Sequence, residues 1–149
     1  MPIGIFRTFL RSGSVWYNEL GSVMRITEVC YDKGTFSGTY CSAVGDATKK
    51  YLLSGRFNNE GHSLGWAVTY KNQYENAHST AAWSGQIQVN PGIQQPIILT
   101  TWLLTSETLP SDDWASTQVG FDTFMQKEPT KEVIQQAQLR GKHSCPSNA

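Results

Sequence analysis

From residue 14 to residue 125 the chain alternates between apolar and polar positions. Val, Ile, Leu, Tyr, Trp and Phe recur at every second place in short runs, and Asn, Asp, Gly and Pro fill the gaps between the runs. A period of two marks a strand with one buried face. The pattern predicts strands over about 14–18, 22–29, 35–42, 50–58, 63–71, 79–89, 96–106 and 115–125. Breaks fall at Asp32-Lys33-Gly34, Asn58-Asn59-Glu60-Gly61, Asn90-Pro91-Gly92 and Leu109-Pro110-Ser111-Asp112-Asp113, all of them turn chemistry. No helical period of useful length precedes residue 129. Short links between all eight strands predict an all-β, antiparallel meander. Rolling it into a closed up-and-down barrel removes both sheet edges. A two-sheet sandwich satisfies the same spacing.

The pattern changes after residue 126. Pro129-Thr130 precedes KEVIQQAQLR, and Gly141 follows. This predicts a short helix over 130–140, with Thr130 as N-cap and Gly141 just past the end. Val133, Ile134 and Ala137 would share one face. The chain thus divides into an N-terminal extension (1–12), a barrel domain (13–126) and a C-terminal tail (127–149).

Side chains two apart on a strand point the same way. Trp16 and Asn18 share a face, and the loop Glu19-Leu20-Gly21 brings Asn18 beside Ser22. Further same-face sets are Tyr40 and Ser42; Trp66, Val68 and Tyr70; Ser79, Ala81 and Trp83; Trp102, Leu104 and Ser106; Gly120, Asp122 and Phe124. If these faces form the barrel interior, hydroxyls, an amide and a carboxylate are buried among aromatic rings. A buried polar group left unpaired costs about 1–3 kcal/mol, so such a set needs mutual bonds, water or a ligand. Aromatic walls with a few placed polar groups describe a small-molecule pocket. Each residue taken alone has an ordinary reading too: Trp and Tyr as core, Ser on a solvent face, Asp at a strand end.

Composition narrows the partners. The 149 residues suit one domain, 39% hydrophobic and 16% charged, with a formal net charge of zero. No basic stripe invites nucleic acid or an acidic membrane surface, and no apolar run approaches the ~20 residues of a membrane span. Arg7 and Arg11 interrupt the N-terminal apolar residues, a poor match to a signal peptide. Cys30, Cys41 and Cys145 leave at least one thiol unpaired. Both features favour a cytoplasmic over a secreted protein. Cys41 has the opposite parity to Tyr40 and so should point outward, and a Cys30–Cys41 bridge is not expected. His62, His78 and His143 are scattered, with no nucleophile motif, metal-ligand spacing or phosphate loop, so no enzyme is expected. His78 has the parity of the outer surface.

WYNELGS, GTYCSAVGD, LSGRF, LGWAVTYKN, NAHSTAAWSGQ, TWLLTS and DWASTQVGFDTF occur in this order between residues 13 and 126. The series resembles the avidin/streptavidin family, in its streptavidin-like and tamavidin-like branches. The resemblance implies an eight-stranded barrel that binds biotin without catalysis, sequesters the vitamin and assembles as a homotetramer. It implies that Asn18, Ser22 and Tyr40 donate to the ureido oxygen of biotin, and that Ser42 and Asp122 accept from its N–H groups. Trp83, Trp102 and Leu104 would line the bicyclic ring. Ser79 and the backbone N–H near Asp46 would meet the valerate carboxylate, with Val44 and Gly45 in the closing loop. Trp114 would reach over a neighbouring subunit's site. No cofactor is implied; biotin is the ligand, free or on biotinylated molecules.

Three positions depart from the family pattern: Tyr70 stands for a tryptophan, Ala81 for a threonine and Asp46 for an asparagine of the loop. Together they would cost roughly 2–4 kcal/mol of binding. Measured from the ceiling of non-covalent affinity near about −18 kcal/mol, that leaves a biotin complex about nanomolar or tighter. The other small-ligand reading, a lipocalin-like carrier, calls for a more uniformly apolar interior than Asn18, Ser22, Tyr40, Ser42 and Asp122 would provide.

Overall fold

A computed structural model describes residues 4–41 and 47–141. Eight antiparallel strands follow one another round a closed barrel: β1 Val15–Tyr17, β2 Val23–Cys30, β3 Thr35–Cys41, β4 Lys50–Phe57, β5 Ser63–Lys71, β6 Asn76–Asn90, β7 Gln95–Ser106 and β8 Thr117–Met125. The closed ring excludes the sandwich. Each strand pairs with its sequence neighbour, and β1 returns to β8 through one register pair, Tyr17–Met125. β8 begins two residues later than its pattern suggested, because Pro110–Ala115 wind into a 3-10 turn.

Directly opposed residues share a face, and two belts of rings result. Trp16, Met24, Tyr40 and Tyr51 oppose one another in turn across β1 to β4, all buried. Trp66, Trp83, Trp102 and Gly120 do the same across β5 to β8. Gly120 is required there, since a Cβ would run into the Trp102 indole.

Among the described residues one α-helix precedes residue 129, against expectation. α1, Ile5–Phe9, seals the barrel end formed by the β2–β3 and β4–β5 turns. Phe6 packs on Phe57 with ring centroids 4.6 Å apart, the Arg7 guanidinium lies 4.7 Å from the Tyr31 ring centre, and Tyr31 Oη donates to the Leu10 carbonyl at 2.8 Å. Phe6 and Leu10, four apart, are both buried. Five residues are too few for a period to register, and so short a helix owes its existence to what it packs against.

The second helix, α2, spans Lys131–Leu139. Thr130 Oγ1 accepts from the Val133 N–H at 3.2 Å, and Gly141 takes φ +78 just beyond the helix. Ala137 is fully buried and Ile134 Cδ1 lies over Gly21, in the β1–β2 turn, whereas Val133 turns to solvent. Arg140 and Gly141 rim a hollow of about 480 Å³ shared with Glu19 and Trp102.

Cys30 and Cys41 are not disulfide-bonded to each other. The outward reading of Cys41 needs correcting, because it is only 6% exposed. Its cross-strand partners Val23 and Lys50 keep the outer parity and some exposure. Cys41 stays in register with both of them, so its burial is local cover over the last residue of β3 and not a break in the ladder.

Candidate ligand-binding site

The β1–β2 hairpin fixes Asn18 with unusual completeness. Its backbone N–H donates to the Ser22 carbonyl at 3.1 Å, and Gly21, at φ +87, returns an N–H to the Asn18 carbonyl at 3.1 Å. Its side-chain Oδ1 accepts from the N–H groups of Leu20 at 3.0 Å and Ser22 at 2.9 Å. An amide oxygen so committed settles which end of the group is which. The NH₂ end is left over. Asn18 is 2% exposed, and its Nδ2 is buried with no hydrogen-bond partner among the described residues.

Asp122 on β8 is the one charged side chain buried among the described residues. Its Oδ2 accepts from Trp83 Nε1 at 3.0 Å, and its backbone carbonyl accepts from Thr100 Oγ1 at 2.8 Å. Thr100 sits opposite Asp122 in the β7–β8 register. It went unrecognised in the sequence, although it shares the face of Trp102 and Leu104, so parity alone would have found it.

Tyr40 stands between the polar groups and the ring wall, 5.0 Å from Trp83 and 6.5 Å, edge-on, from Tyr70. Trp83 in turn stacks on Trp66 at 5.6 Å and 17°. Ala81 and Leu104 oppose each other across β6 and β7, as do Ser79 and Ser106. Ser79 keeps the inward alternation of Ala81 and Trp83, and a bulge begins beside it. The β5–β6 register runs from Thr69–Thr80 to Lys71–Asn76, so Tyr70 faces Ala77, His78 and Ser79 together. His78 takes φ +52 there, its N–H donates to Asn76 Oδ1 at 2.9 Å, and its Nδ1 lies 2.9 Å from Glu107 Oε2 on the surface.

Asn18, Ser22, Tyr40, Tyr70, Ser79, Ala81, Trp83, Trp102, Leu104 and Asp122 are all buried, on the inner face. Trp114 stands apart, 85% exposed in the 3-10 turn between β7 and β8. Ser42, Val44, Gly45 and Asp46 lie outside the described residues. Among the described residues no group of three or more His, Cys, Asp or Glu could hold a metal ion.

The chamber therefore offers a fixed amide donor and a buried carboxylate, with indoles and phenols between them. A family model described as the avidin family matches residues 7–127. The chain belongs to the avidin family. Avidin-related protein 6 of Gallus gallus is 32% identical over 121 residues, covering 78% of this chain and 78% of that protein. Avidin-related protein 1 of the same species is 32% identical over 124 residues, with the same coverage of each. The avidin-family match begins inside α1, so it takes in part of the segment that plugs the barrel as well as the strands.

Proposed function

We propose that this barrel binds biotin tightly and without catalysis. Membership of the avidin family supports a function of the biotin-binding type. The observation that carries the finer reading is the Asn18 amide. Its oxygen is consumed by the hairpin, and its Nδ2 is buried without a partner among the described residues. A ligand that fits must present an acceptor to it and an N–H to Asp122, on a flat body that lies among rings. A ureido ring does all three.

In this reading Asn18, Ser22 and Tyr40 donate to the ureido oxygen, while Ser42 and Asp122 accept from the ureido nitrogens. Donors on the oxygen and a carboxylate on an N–H polarise the urea in one direction, and charge-assisted bonds in a dry site are the strong ones. Trp83, Trp102, Leu104, Tyr70 and Ala81 hold the bicyclic ring. Ser79, Val44, Gly45 and Asp46 serve the valerate end. Titration calorimetry with biotin at pH 7 tests the proposal; nanomolar or tighter binding is expected, and millimolar or absent binding overturns it.

We also propose a homotetramer in which Trp114 covers a neighbour's site. The exposed indole supports it, as does the apolar outer face of β7 and β8, where Leu103 opposes Val119 and Phe121 lies two residues on, all exposed.

A further inference from the structure

Tyr70 stands at the β5–β6 bulge. The bulge sets it against three residues of β6, none of them directly opposite in register. Its ring is held from the other side. Tyr51 on β4 meets it edge-on, with centroids 5.0 Å apart at 76°. Tyr51 opposes Tyr40 in the β3–β4 register, so the three phenols form one row across β3, β4 and β5.

Tyr51 is itself pinned. It is 1% exposed, and its hydroxyl donates to Glu75 Oε2 at 3.1 Å. Glu75 lies in the β5–β6 turn, which Asn72 builds. The Asn72 Oδ1 accepts from the N–H groups of Tyr74 at 2.8 Å and Glu75 at 2.9 Å, and its backbone N–H donates to the Glu75 carbonyl at 2.9 Å. Its Nδ2 donates to the carbonyls of Thr48 at 2.9 Å and Lys50 at 2.8 Å. Every hydrogen-bonding position of that amide is used. The turn is thereby tied to the point where the chain enters β4, and Glu75 has little freedom to follow Tyr51 if the ring moves.

We infer that Tyr51, held by Glu75, is a positioning residue that fixes the Tyr70 ring against the ligand chamber and so slows ligand release. The inference rests on the biotin-binding reading. Tyr70 is smaller than the tryptophan of the family pattern, and a smaller wall retains a ligand only while it stays in place. The effect belongs to dissociation, since the ring shapes the bound complex rather than the encounter.

The test compares Tyr51→Phe, Glu75→Ala, Glu75→Gln and the double variant Tyr51→Phe/Glu75→Ala with the parent. The readouts are the release rate of fluorescently labelled biotin and the Tyr70 ring resonances of the ligand-free protein. Tyr51→Phe and Glu75→Ala are expected to speed release 3- to 10-fold, the double variant no more than either alone, and Glu75→Gln, which keeps an acceptor, less than 2-fold. The Tyr70 resonances should move in the first two variants and stay put in Glu75→Gln. Release within 2-fold of the parent in Tyr51→Phe and Glu75→Ala overturns the inference, as does an additive double variant. A parent protein that holds no biotin overturns the biotin reading alone. The ring resonances then decide: unmoved, they overturn the positioning role, and moved as described, they support it.

Discussion

Asn18 does two jobs with one amide, and they can be separated. Its Oδ1 closes the hairpin on Leu20 and Ser22, while its Nδ2 is buried without a partner among the described residues. Asn18→Asp keeps an acceptor for both backbone N–H groups and removes the donor. The hairpin should survive, with the Leu20 and Ser22 amide resonances little moved. Biotin binding should weaken about 5- to 150-fold, the equivalent of about 1–3 kcal/mol. Calorimetry and an amide spectrum of the same sample check both halves. A second expectation concerns Tyr51. Burial first, then the hydrogen bond to Glu75 and the charges of Glu75 and Cys41, push its pKa from 10.0 up to about 12. The unfolded chain gives up this proton first, so the contribution is complete below pH 10 and is lost as pH rises toward 12. Urea midpoints across that window should fall more steeply for the parent than for Tyr51→Phe.

At the scale of elements, α1 behaves as part of the core although the alternation begins only after it. Phe6→Ala should cost about 3 kcal/mol, because Phe6 is buried against Phe57. It should leave biotin affinity unchanged, because Phe6 plugs the end of the barrel away from Asn18. A denaturation curve and a calorimetric titration of the variant check both. What the sequence revealed and what it hid follow from the same physics. Strand parity is a local rule, and it placed Asn18, Tyr40, Trp83 and Asp122 on one wall, where they are found buried. The helix boundary at Thr130 was equally local, and its cap bond is present. α1 escaped because its one buried residue, Phe6, matters only once Phe57 is in place. The burial of Cys41 escaped because parity gives the face of a side chain and not what covers it. The Tyr51–Glu75 bond joins a strand to a distant turn, and no spacing announces it.

For the whole molecule, the exposed Trp114, Leu103, Val119 and Phe121 describe a surface that a lone barrel leaves wet. Light scattering should give the mass of four chains, and Trp114→Ala should speed biotin release if its indole covers a neighbour's site. A monomeric mass that is unchanged by biotin removes both expectations. Affinity and assembly would then be separate properties of one surface and one chamber.

Only the Tyr17–Met125 pair closes the ring; every other pairing joins strands adjacent in sequence. The hairpins can form early and locally, while this closure spans nearly the whole barrel and carries the largest loop-entropy cost. Asn18 and Asp122 lie on either side of that seam, one residue past Tyr17 and three before Met125. If that closure comes last, the Asn18 and Asp122 end of the interior forms with it, and a ligand that needs both groups rewards only the finished ring.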